Sequence, residues 1–103
     1  MGRTGNFANR RDINEPQIKE ILEEAGFQIE GMDVPCDLLC TMFGHNYLVE
    51  VKNGTKAPLT ASQKKFHAKW KGQKVIIRTE EEARTWATSV LKAYPHQFMG
   101  AIS

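Results

Sequence analysis

Ile18, Ile21, Leu22 and Ala25 recur at the spacing of one helical face, which predicts an amphipathic helix. Asn14 stands at its start with Gln17 three residues on, a capping-box pattern, Pro16 fits the first turn, and Gly26 marks the end. Phe27-Gln28-Ile29-Glu30 then alternates as a strand does. Asp37 to Phe43 and Asn46 to Lys52 read as two further strands joined by Gly44-His45, and a glycine first in a two-residue loop predicts a type II′ hairpin. After a loop from Asn53 to Leu59, Thr60 with Gln63 opens a second helix that carries Phe66 and Trp70 on one face and closes at Gly72. Lys74-Val75-Ile76-Ile77-Arg78 is a short apolar strand. Thr79 with Glu82 caps a last helix, in which Ala83, Trp86, Ala87, Val90, Leu91 and Tyr94 recur at helical spacing before Pro95. Trp70 and Trp86, each on an apolar stripe, are expected in the core.

The order α-β-β-β-α-β-α predicts an α/β fold. The third strand, second helix and fourth strand form a crossover unit, so the sheet is expected to be mixed and four-stranded, with helices on its faces. A length of 103 residues suits one domain, expected over 14–95, between a flexible N-terminal arm (1–13) and a C-terminal tail (96–103).

The hairpin carries the candidate chemistry. With Phe43 opposite Asn46, Asp37 falls opposite Lys52 and Leu39 opposite Glu50, so Asp37, Glu50 and Lys52 share one face of the sheet. Two carboxylates brought together repel unless they hold a cation, and a nearby lysine can steady a nucleophile or the charge developing on a phosphate. The competing reading is an edge-strand ion pair that discourages aggregation.

Composition narrows the partners. At 41% hydrophobic and 25% charged, the chain is that of an ordinary folded domain, and no apolar run reaches the roughly 20 residues of a membrane span. The first residues lack a hydrophobic signal region, so a cytoplasmic protein is expected, without a membrane partner. A net charge of +2 announces no polyanion partner by itself, but the distribution is uneven. Arg3, Arg10 and Arg11 lie early, and Lys52, Lys56, Lys64, Lys65, Lys69, Lys71 and Lys74 gather in the middle, which suits a phosphate backbone or simply a solvated helix face.

Cys36 and Cys40, placed on one strand, would share a face about 13 Å apart, too far to bridge. With His45, His67 and His96 they show no Cys-x-x-Cys or His-x3-His spacing, so zinc is not expected and the thiols read as reduced and packed.

Taken together, Asn14-Glu15-Pro16, Cys36-Asp37-Leu38-Leu39, Leu48-Val49-Glu50-Val51-Lys52, Leu59 to His67 and Val75 to Thr79 resemble, in order, the motifs of the PD-(D/E)XK nuclease superfamily. The likeness is to small phage and prophage nucleases, similar to VRR-NUC domains and Holliday-junction resolvases, and runs from about Arg10 to Ala87. One departure is that the proline usually just before the aspartate stands one place earlier, as Pro35, with Cys36 between.

The resemblance implies a restriction-endonuclease-like α/β/α core and a divalent-metal-dependent DNA endonuclease, structure-specific for branched or junction DNA. Asp37 and Glu50 would hold magnesium or manganese, with the Val51 carbonyl as a further ligand and Lys52 as the catalytic lysine. Glu15 matches a helix glutamate used by resolvase-like members, against the plainer role of a first-turn acid favouring the helix dipole. Gln63 matches a glutamine near the catalytic lysine, although capping alone accounts for it. Arg10, Arg11, Lys56, Lys64 and Lys65 would contact DNA phosphates. Paired cuts would call for a homodimer, and a phage-derived chain would work in the cytoplasm of a bacterial host. The alternatives are a catalytically silent DNA-binding module and an assembly protein with the same fold.

Overall fold

In the computed structural model the described residues are 13–94. Arg10, Arg11, the C-terminal tail and almost all of the expected arm lie outside them. The order is α1 (Glu15–Ala25), β1 (Gln28–Gly31), β2 (Leu38–Met42), β3 (His45–Val51), α2 (Ala61–Lys69), β4 (Lys74–Ile77) and α3 (Glu80–Ala93). The four strands lie side by side in chain order, antiparallel from β1 to β3, with β4 parallel to β3. The expected α/β fold with a mixed four-stranded sheet is therefore present. No helix among the described residues is long and apolar enough to cross a membrane.

Alternation along β2 and β3 assigns the two faces of the sheet. Leu38, Cys40 and Met42, with Tyr47, Val49 and Val51, turn to one side and meet Ile18 and Leu22 of α1 and Ala83, Ala87 and Val90 of α3. Ile18, Leu22, Leu38, Val49, Val51 and Ile77 are fully enclosed, each worth about 1.5–3 kcal/mol of burial. Phe27 and Trp86 stack with ring centroids 4.9 Å apart, and Tyr47 meets both edge-on. Glu50, between Val49 and Val51, must then point to the opposite face, where α2 lies.

Local chemistry fixes the joins. At the end of α1, Gly26 has φ +116°, the Phe27 N–H reaches the Leu22 carbonyl and the Gly26 N–H reaches Glu23. That is a Schellman closure, and Leu22 and Phe27 both sit in the core beside it. Thr60 and Gln63 form the expected capping box of α2, and Thr79 accepts from the Glu82 N–H at α3.

Two local expectations are corrected. The hairpin turns at Phe43-Gly44, not Gly44-His45, with φ +56° and +81°, so the turn is type I′ and Met42 pairs with His45. Positive φ disfavours a phenylalanine, but its half-buried ring packs on the core and stands edge-on to Tyr94 at 6.4 Å, so tertiary contact outweighs local preference. The register moves by two residues: Leu38 pairs with Val49 and Leu39 with Leu48, and Asp37, which precedes β2, is bonded to the Val49 carbonyl and does not pair with Lys52. Since the strand period is two, the faces are unchanged.

The second correction concerns Asn14, which makes no side-chain cap, so the predicted box with Gln17 is absent. Its amide nitrogen donates instead to the Lys52 carbonyl at 3.1 Å and the Arg78 carbonyl at 3.0 Å, tying the start of α1 to the residues that follow β3 and β4. Asn14→Ala is expected to destabilise the fold by about 1–3 kcal/mol in urea unfolding, and Asn14→Asp by more, because it would turn an acceptor toward two carbonyls.

Candidate active site

Glu50 is 2% exposed, and its position follows from the core, since Val49 and Val51 must face the other way. A carboxylate so buried is costly unless its oxygens are engaged. Gln63 supplies one engagement, donating from Nε2 to Glu50 Oε2 at 3.0 Å. The same side chain accepts through Oε1 from the Thr60 N–H at 2.8 Å and from Lys52 Nζ at 3.2 Å. Gln63 thus caps its helix and bridges the two charged residues of the Glu-x-Lys stretch. The expected cap and a contact with Lys52 are thus made by one amide.

Lys52 and Asp37 are held by different means than strand alternation suggests. The Lys52 backbone N–H donates to the Ile77 carbonyl at 2.9 Å, and its ammonium reaches Gln63. Asp37 precedes β2, in a bend, although its main chain still pairs with Val49 on one side and Met32 on the other. Its Oδ2 accepts from the Val51 N–H at 2.7 Å, standing in for the next carbonyl of the ladder. Asp37 therefore grips the backbone between Glu50 and Lys52, and the three residues gather where β2 leaves β3.

Glu15 lies half-buried in the first turn of α1. Its neighbour Asn14 is the residue bonded to the Lys52 carbonyl, which brings the start of α1 to the same end of the sheet. Lys56 is exposed in the loop after β3, and Lys64 and Lys65 are exposed on α2, as phosphate contacts would require.

Two residues at this site, Cys36 and His67, were set aside in the sequence reading for want of a metal-binding spacing. Cys36 does not share a strand or a face with Cys40: it precedes β2 and is 1% exposed beside Glu50, whereas Cys40 faces the core. Both thiols are free. Burial first, and then the negative charges of Glu50 and Asp37, push the Cys36 thiol up to about 12. His67, one turn beyond Gln63 on the same helix face, brings Nε2 to 3.7 Å from Glu50 Oε1, and burial together with the charge of Lys74 lowers its pKa. One ligand atom each from Cys36, Glu50 and His67 lies within 4.8 Å of the others, the one such trio among the described residues. The i, i+4 relation of Gln63 and His67 was the available signal; the approach of Cys36 depends on the bend before β2.

Trp86 packs on the core as expected, but Trp70 does not. It is 42% exposed and stacks on Phe66 at 5.5 Å, because α2 buries none of its residues and Trp70 is the C-cap where the helix ends.

No family model matches this chain, and no curated protein or solved structure matches it. The geometry separates two functions of the α2 cap. Thr60→Ala is expected to cost about 1 kcal/mol in thermal or urea unfolding, the loss of a cap. Gln63→Ala removes the bridge between Lys52 and Glu50 as well and is expected to cost more, by about 1–2 kcal/mol, since it strips a hydrogen bond from a buried carboxylate.

Proposed function

We propose that the chain is a divalent-metal-dependent DNA endonuclease acting on branched or junction DNA. The observation that carries this reading is the linkage of Asp37, Glu50 and Lys52 at one end of the sheet, Asp37 through the Val51 N–H and the other two through Gln63. The Lys52 ammonium is directed at an amide oxygen, and Glu50 is almost wholly enclosed.

The donor set fits a hard cation. Asp37, Glu50 and the Val51 carbonyl offer only oxygen, and the Asp37 bond to Val51 leaves Oδ1 for another partner. Magnesium or manganese held by these groups, with Glu15 as a further carboxylate, would polarise the scissile phosphate and make a bound water more acidic. Lys52 orients the attacking water and offsets negative charge as it develops on the phosphate. Gln63 keeps that ammonium and the Glu50 carboxylate in fixed relation. Lys56, Lys64 and Lys65 position the backbone, and the exposed Trp70-Phe66 stack offers a surface on which an unpaired base could rest. Arg10 and Arg11 would add phosphate contacts, and coordinated cuts across a junction would need two such sites in a homodimer.

Cleavage of supercoiled plasmid and of a four-way junction in magnesium tests the reading. Asp37→Ala and Lys52→Ala are each expected to lower the rate by at least about 10²–10³-fold while leaving DNA binding in calcium largely intact. Cleavage that both variants leave unchanged would remove the assignment. Metal-independent binding without turnover would identify a silent DNA-binding module, and neither binding nor turnover an assembly protein.

A further inference from the structure

We infer that Cys36, Glu50 and His67 form a binding site for a borderline-soft transition ion, zinc above all, beside the proposed hydrolytic centre and sharing Glu50 with it. The three come from the bend before β2, from β3 and from α2. Their ligand atoms already lie within 4.8 Å of one another. Tetrahedral zinc, with bonds of about 2.3 Å to sulfur and 2.0–2.2 Å to nitrogen or oxygen, sets its ligands roughly 3.3–3.6 Å apart. The 3.7 Å between His67 Nε2 and Glu50 Oε1 is close to that spacing and too long for a hydrogen bond.

His67 supplies an independent sign. Its side chain is 9% exposed, yet neither ring nitrogen has a hydrogen-bond partner among the described residues. An imidazole enclosed in this way forgoes its water without return, a cost that coordination to an ion would remove. Thiolate, imidazole and carboxylate together form a donor set that suits zinc and is a poor match for magnesium. Gln63, which holds Glu50 Oε2, acts as the outer-shell group that keeps Oε1 turned toward His67. On binding, the Cys36 S–H bond breaks, sulfur bonds the ion and the proton passes to solvent. With three protein ligands, a fourth position remains for water.

Zinc binding does not depend on the nuclease reading; one consequence does. Because Glu50 serves both ions, a filled zinc site is expected to suppress magnesium-dependent cleavage.

Cobalt(II) titration of the reduced full chain, followed by displacement with zinc, tests the site. One equivalent of cobalt should give a thiolate-to-cobalt charge-transfer band with tetrahedral ligand-field intensity, and one equivalent of zinc should erase it. Cys36→Ser should abolish the band, Cys40→Ala should keep it, and His67→Gln should weaken zinc binding by more than the roughly 10–100-fold typical of outer-shell changes. Asp37→Ala, which disables the proposed hydrolysis, should retain the band, so failure of either idea is visible separately. Circular dichroism checks that each variant folds; should Cys36→Ser not fold, His67→Gln decides, since α2 contributes no residue to the hydrophobic core and glutamine keeps a polar side chain at that place. No band in the folded wild type, a band that survives Cys36→Ser, or zinc affinity unchanged in His67→Gln would each overturn the proposal.

Discussion

The arrangement at the end of the sheet depends on one enclosed carboxylate. Glu50 occupies the middle of a run whose neighbours Val49 and Val51 are fixed in the core, so it has no choice of face. Removing a carboxylate from water is expensive, and the surrounding groups are arranged around that cost. Gln63 donates to it, Lys52 is tethered to Gln63, and His67 and Cys36 stand close by. The apolar core on one face thereby determines where charge must be accommodated on the other.

Gln63 makes the helix and the charges a single unit. Its side chain is at once the N-terminal cap of α2 and the connection between Lys52 and Glu50. A capping box ordinarily stabilises only its own helix. Here it also aligns the helix with the strand that carries the acid and the amine, so local and long-range order share one set of hydrogen bonds.

Periodicity made most of the fold legible. The stripe of Ile18 and Leu22, the alternation around Val49 and Val51, and the spacing of Ala83, Ala87 and Val90 each report a buried face, and burial is what a single sequence records best. The type of turn was not legible, because the sequence favours Gly44 at the first turn position while packing of the Phe43 ring enforces another choice. Asn14 shows a related limit: as a local cap it looked complete, but two carbonyls distant in sequence claimed its amide. That Asp37, Glu50 and Lys52 lie near one another was legible in their pattern, whereas the approach of Cys36 was not, since its place is set by a bend that no repeat announces. Trp70 failed for the converse reason: an apolar stripe needs an opposing surface, and α2 is too short to press that residue against one.

That helix has a dynamic significance. With none of its residues in the hydrophobic core, α2 holds to the sheet through the hydrogen bonds of Gln63, and segments of this kind open in partial unfolding events well below the cost of global denaturation. Glu50 has almost no route to solvent in the closed fold. Transient detachment of α2 would open that carboxylate to solvent while the β-sheet and its hydrophobic side stayed intact, so access to it would be governed by breathing of one short helix.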